Sequence, residues 1–333
     1  MMPYTTERRR RDVLILTSQG DTHAEAVAQR LVARDAKVHW FDYGRLPSKA
    51  TMLFETGGRP GRARVHVGSD MLNLNLADVG VVWTRRPSTI VASAPTGEQV
   101  YVKQETAGYM LGLFDAAHCP WFPGTAYALR KAEGKIEQLW RAERRGFLIP
   151  PTLITNRPEE ALAFYNEHQG EVISKVGESL GFEHSYPGLS RYTERVRRRD
   201  LRFLHGVRHC PVLFQALVAK RLELRVTVVG ERVFTAAIHS QESRQTQLDW
   251  RKYDTRNTPH QVHELPPPVE RNCVALVKEL GLTYGAIDLI LRPDGEYVFL
   301  EINPNGQYLW IETLTGLPIS DAIADHLVEL AHN

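Results

Sequence analysis

The sequence predicts an α/β chain that becomes α+β in its C-terminal part and spans more than one domain, and three observations carry that expectation. Apolar runs of strand length alternate with helical periodicity through the first half. Beyond residue 212 strands dominate and pair into two hairpins. The 333 residues, 43% of them hydrophobic, exceed one typical domain and suffice for a sizeable core.

The first run, residues 12–17, reads as a buried parallel strand, followed by a helix over 23–33 and a second strand over 37–42. With the apolar run at 79–83 these form an open α/β sheet. No GxGxxG follows the first strand, which argues against a dinucleotide site there. Two prolines and a glycine at 118–124 interrupt the pattern and mark a domain boundary, just before a helix over 132–145. Residues 152–155 and 171–176 read as extended, and 159–168 as helical. The strands 222–229 and 232–238 flank the two-residue turn Gly230-Glu231. A second hairpin pairs 286–291 with 297–303 around Pro293-Asp294-Gly295, and a last helix covers 319–330.

Composition removes several function classes. The 41 basic and 39 acidic side chains leave a net charge of +2, without the polyelectrolyte character of nucleic-acid binders. The cysteines, Cys119, Cys210 and Cys273, are too far apart for a disulfide framework or a zinc site. The arginines at the N-terminus have no apolar region behind them, and no stretch is long enough for a membrane helix, so a soluble, cytoplasmic protein is expected.

The chemistry concentrates in GAIDLILRPDGEYVFLEINPNG, residues 285–306. On an extended strand Glu301 and Asn303 share one face, and Asp288 lies on the neighbouring strand. Both acids interrupt apolar runs, where unpaired carboxylates would be costly and would repel one another without a cation. Three oxygen donors of this kind suit magnesium, a hard ion that bridges carboxylates to phosphates. Lys135 falls in the first turn of its helix, and Lys175 ends a strand before a loop containing Gly177, Ser179 and Gly181, a composition suited to covering phosphates. The strand through Gln215, Ala216, Leu217 and Val218 could offer main-chain groups to an adenine edge, with Glu223 accepting from ribose hydroxyls and Arg225 on the same face as Glu223. The arginine run at 195–199 could attract an acidic peptide, or simply be a solvated face.

The order of these features, a lysine, a lysine with a glycine loop, a hinge strand with a glutamate, then Asp…Glu-x-Asn, resembles the ATP-grasp superfamily over about the last two thirds of the chain. The resemblance implies an ATP-grasp fold with a Rossmann-like pre-ATP-grasp domain at 1–120, a central subdomain with the phosphate loop at 121–211 and a C-terminal subdomain with the magnesium site at 212–333. It implies ATP and Mg²⁺ as cofactors, with Lys135 and Lys175 on phosphates, 215–218 on adenine, and Asp288, Glu301 and Asn303 on the metal.

Trp83-x-Arg85-Arg86-Pro87, Lys135-Ile-Glu-Gln-Leu139, the run 147–156, Leu222-Glu-Leu-Arg225 and Asp249-Trp250-Arg251 resemble the peptide maturases that build graspetides, the microviridin-type peptides. Such enzymes join Asp or Glu side chains of a precursor peptide to Ser, Thr or Lys side chains as ω-esters or ω-amides. The expected partner is therefore a precursor with a leader and an acidic core, and the expected assembly a homodimer. There are two departures. Relatives of D-alanine ligase carry an arginine two residues before the metal-binding aspartate, but Ala286 stands here, so Arg225, Arg244 and Arg251 are the candidates for the cation. Gly134 stands where asparagine commonly precedes the first lysine. The alternatives are an ATP-grasp ligase that adds a free amino acid to a peptide or protein, and a nucleotide-binding regulator without catalysis.

Overall fold

The computed structural model describes residues 12–57, 64–69, 72–90, 95, 97–175, 193–250 and 257–332. Its N-terminal sheet is parallel, in the order β2-β1-β6-β7, with β1 at Asp12–Leu16, β2 at Lys37–Phe41, β6 at Val79–Thr84 and β7 at Trp121–Phe122. Because side chains alternate along a strand, Val13 and Ile15 face helix α1, Thr22–Val32, while Leu14 and Leu16 face α2, Gln99–Asp115. Both faces are covered, which is why β1 reads as an unbroken apolar run rather than an alternating one. Between β2 and β6 the chain makes an antiparallel meander, β3 at Ala50–Glu55, β4 at Arg64–Ser69 and β5 at Leu72–Asn75, which the sequence reading lacked.

The helix expected over 132–145 is two helices. α3, Ala126–Glu133, ends at Gly134, whose ψ of 115° is not helical, and α4 starts afresh at Lys135 and runs to Arg144. Both pack on the C-terminal sheet rather than on the central one. Leu129, Leu139 and Ala142 share a core with Leu224, Val226, Ile287 and Ile302. The central unit is a small antiparallel sheet, β10-β9-β11-β8, in which β8 is Thr152–Thr155, β9 Val172–Lys175, β10 Glu194–Arg195 and β11 Val212–Ala216. Helix α5, Pro158–Glu167, closes its far face through Ala161 and Phe214.

The C-terminal sheet is antiparallel in the order β14-β13-β12-β15-β16, with β12 at Leu222–Val229, β13 at Arg232–Ile238, β14 at His260–Val262, β15 at Tyr284–Leu291 and β16 at Tyr297–Asn303. Both expected hairpins are present. Helix α6, Pro267–Glu279, covers one face, and α7, Leu309–Thr315, follows β16. The last helix, α8 at Ile319–His332, docks on the N-terminal sheet, where Ile323 and Leu327 join the core of Val13, Ile15 and Val81. Among the described residues, no helix is long and apolar enough to cross a membrane.

Candidate active site

A cleft with about 560 Å³ of empty space, partly open to solvent, separates the central and C-terminal sheets. One wall carries Ile173, Lys175 and Gln215, and the floor carries Glu223, Asp288, Ile290 and Glu301. Register places the floor residues. Arg225 on β12 lies opposite Asp288 on β15, which lies opposite Glu301 on β16, so cation, acid and acid form one row across three strands. The next row is Thr227, Ala286, Asn303. A bulge after Asp288 re-aims the edge strand beside this row, a frequent device near active sites.

The two acids are not left to repel one another. Arg225 Nη1 donates to Asp288 Oδ1 at 2.8 Å, and Lys135 Nζ meets Glu301 Oε2 at 2.5 Å. Burial opposes the charge on Arg225, but the Asp288 carboxylate outweighs it and holds the guanidinium above its ordinary value. Lys135 is placed by α4. Buried Gln138, three residues on, donates Nε2–H to Ile302 O at 2.8 Å and accepts from Ile302 N at 3.1 Å, which locks the helix to β16 between Glu301 and Asn303.

The row also accounts for Ala286. An ideal Cβ at Gly306 would lie 2.3 Å from Ala286 Cβ and 2.7 Å from Arg225 Nη2, so the backbone after Asn303 sits directly on Ala286. An arginine side chain has no room there, and the cation arrives from β12 as Arg225. Arg225 is held there by Asp288 and by the Gln307 carbonyl, to which its Nη2 donates at 3.1 Å. Gly306→Ala is expected to cost about 1–3 kcal/mol of stability through overpacking, and to slow turnover by displacing Arg225. A thermal midpoint and a rate equal to those of the parent would contradict the contact.

Lys175 and the hinge sit on the opposite wall. Lys175 Nζ donates to Gln215 Oε1 at 2.8 Å, and Gln215 Nε2 donates to Thr152 Oγ1 at 2.9 Å. The amides of Ala216 and Leu217 are engaged by Pro151 O and Glu171 O, at 2.9 and 2.8 Å. Of the main-chain groups offered to adenine, those two donors are therefore already in use, while Ala216, Leu217 and Val218 line the cleft. Glu223 is 5% exposed, and its Oε2 has no hydrogen-bond partner among the described residues. Burial holds its carboxyl above the usual carboxylate range, an effect the Lys220 ammonium 2.7 Å away offsets only in part. A buried acceptor without a donor is the feature a ribose hydroxyl would satisfy, and the all-oxygen set of Asp288, Glu301 and Asn303 suits magnesium.

Sequence reasoning missed several of the cleft residues. Lys220 is buried and ties Glu223 to the Leu248 carbonyl at 2.9 Å. Asp249 Oδ2 accepts from Thr193 N at 3.2 Å. Trp250 stacks on Trp310 with centroids 4.9 Å apart, and Arg225 Cζ lies 6.0 Å from the Trp250 ring. Only the Asp249-Trp250-Arg251 motif pointed to this wall. Arg244 is exposed. Gly177, Ser179, Gly181 and Arg251 lie outside the described residues. Arg195, Arg197, Arg198 and Arg199 are all exposed, the first of them on the edge strand β10.

If Lys175 steadies a phosphate, Lys175→Met should lower kcat/KM by about 2–4 kcal/mol. Lys278→Met, which removes only a surface partner of Glu231, serves as the control. Equal, small effects would return Lys175 to an ordinary strand-end lysine.

Three solved structures are similar over nearly the whole chain. A RiPP-associated ATP-grasp ligase from Chryseobacterium gregarium, in complex with ADP and a leader and core peptide, is 29% identical with a TM-score of 0.86, covering 97% of this chain and 98% of that one. The macrocyclase MdnC from Microcystis aeruginosa, bound with precursor peptide MdnA, is 32% identical with a TM-score of 0.82, covering 95% and 99%. Macrocyclase MdnB from the same organism is 31% identical with a TM-score of 0.77, covering 96% and 99%. No protein-family model and no curated protein matches the chain.

Proposed function

This chain belongs to the ATP-grasp ligases that macrocyclise precursor peptides, and from that premise we propose that it activates Asp or Glu side chains of a ribosomal precursor peptide with ATP and closes ω-ester or ω-amide rings. The observation that carries the reading is the row Arg225, Asp288, Glu301, facing a cleft whose other wall holds Lys175. A carboxylate oxygen leaves poorly, so phosphoryl transfer to it creates an acyl phosphate with a good leaving group, which a hydroxyl or amine then displaces.

Asp288, Glu301 and Asn303 would hold magnesium, which supplies charge neutralisation between phosphates. Arg225 faces Asp288 with its charge and holds the carboxylate in place. Lys135 balances Glu301 until a nucleotide arrives, and then offers its ammonium to the phosphates, as does Lys175. The hinge at 215–218 and Glu223 hold the nucleoside. Apolar residues on the two sheets, Ile173 and Ile290 among them, keep water from the activated carboxyl, which it would otherwise hydrolyse.

The partner in this reading is a peptide with a leader that docks away from the reacting side chains, so that one site can serve several core positions. A homodimer is the proposed assembly. Val100 and Leu111 stand exposed on the same side of α2, apolar side chains a second copy would cover. A cytoplasmic setting agrees with three free cysteines. The test is the intact mass of a precursor peptide after incubation with enzyme and ATP. Each ring removes one water, about 18 Da by the arithmetic of condensation. A gain matching one amino-acid residue would replace this reading with amino-acid ligation.

A further inference from the structure

The metal-side loop after β16 is held by three successive carbonyls, and each has a buried donor from a different part of the chain. Arg85 Nη1 donates to Asn305 O at 2.8 Å, Tyr284 OH to Gly306 O at 2.7 Å, and Arg225 Nη2 to Gln307 O at 3.1 Å. The first of these bonds joins residues 220 positions apart and crosses from the N-terminal sheet to the C-terminal one. Arg85 follows the end of β6, its own amide donating to Leu16 O at 2.9 Å, and its side chain is 3% exposed. Asp21 Oδ2 lies 3.3 Å from Arg85 Nε and caps α1 through its other oxygen, so the guanidinium is anchored at both ends.

The loop held in this way ends at a site residue. Asn305 N donates to Asn303 Oδ1 at 3.0 Å, so the orientation of the Asn303 amide depends on where Asn305 sits. Arg85 fixes the carbonyl side of Asn305 while its amide side fixes Asn303. A guanidinium suits this role because it donates along fixed directions and keeps its charge when buried. The same stretch contains Trp83, packed in the core against Phe122 at 5.9 Å, which leaves β6 little freedom to shift.

We propose that Arg85 is a positioning residue for the magnesium site. It sets the Asn305 turn that aims the Asn303 amide, so the Trp-x-Arg-Arg-Pro segment of the N-terminal unit completes a site built on the C-terminal sheet. The proposal rests on the assignment of Asp288, Glu301 and Asn303 to magnesium. Groups that orient metal ligands act through the ligand, and their loss typically weakens metal binding about 10–100-fold.

The test is the affinity of the full chain for ADP, measured by calorimetry with and without Mg²⁺, for the parent, Arg85→Met, Arg85→Lys and Glu301→Ala. In Arg85→Met the tightening of ADP by magnesium should fall about tenfold or more, with metal-free ADP affinity unchanged. Arg85→Lys, which keeps the charge beside Asp21 and can reach one carbonyl, should fall between parent and Met. If Glu301→Ala loses the magnesium effect while Arg85→Met keeps it, Arg85 does not position the site. If Arg85→Met weakens ADP equally with and without metal, its role is general support of the fold. If Glu301→Ala itself keeps the magnesium effect, the metal assignment falls, and this proposal with it. Should Arg85→Met not fold, Arg85→Gln replaces it in the same ordering, and failure of that order overturns the proposal.

Discussion

Glu301→Ala is expected to abolish ring formation while the chain stays folded. Removing one of three oxygen donors should cost several kcal/mol of transition-state stabilisation, a fall in kcat/KM of about a thousandfold. Stability should change by less than about 1 kcal/mol, because the Lys135–Glu301 pair is about a quarter exposed and such pairs contribute little. Ring formation is followed by peptide mass and folding by thermal unfolding. A variant that cyclises at near the parent rate would remove Glu301 from the metal site. Glu301→Gln separates charge from oxygen donation, and its rate should fall between those of parent and Ala.

Arg225 is the second large effect, and here stability and chemistry separate. Arg225→Met leaves Asp288 buried without its cation, and breaking a buried pair in this way costs about 3–5 kcal/mol. Arg225→Lys keeps a cation opposite Asp288 but cannot reach both Asp288 and the Gln307 carbonyl. It should fold, bind ADP as the parent does, and lose about 2.7 kcal/mol, or roughly a hundredfold, in the chemical step. Single-turnover rates beside ADP titration make the distinction. An equal loss of nucleotide affinity would mean that Arg225 serves binding rather than chemistry.

The parts of this fold that were legible are those whose signal is local. β12, β15 and β16 could be read because their apolar runs are long and their turns carry glycine, and the shared face of Glu301 and Asn303 followed because residues two apart on a strand point the same way. The break between α3 and α4 was not legible. Helical periodicity continues on both sides of Gly134, and that glycine offers no side-chain cap to announce a new start. The meander at β3–β5 was hidden for a different reason: its exposed positions carry Leu53 and Phe54, so alternation does not mark the buried face.

Side-chain pairings set by the tertiary fold were beyond reach, whether near or far in sequence. In Ala219-Lys220-Arg221 nothing local says that Lys220 turns inward to Glu223 while Arg221 stays in solvent. Trp250 and Trp310, 60 positions apart, become neighbours only once α7 and the 240–250 segment share a wall. Ala286 could be recognised as a departure from related ligases, but its cause needed the register that sets Thr227 and Asn303 on either side and Gly306 above.

The docking of α8 on the N-terminal sheet has a consequence for how this chain emerges from the ribosome. Val13, Ile15, Val81 and Trp83 are synthesised early, yet the surface that covers part of them, Ile319, Ile323 and Leu327, is made some 240 residues after Val81. Until then the nascent sheet shows an apolar face to solvent, the kind of species that aggregates or recruits chaperones during synthesis. Pairing so distant in sequence also places the closure of this core late in folding, because the long intervening loop must be ordered first.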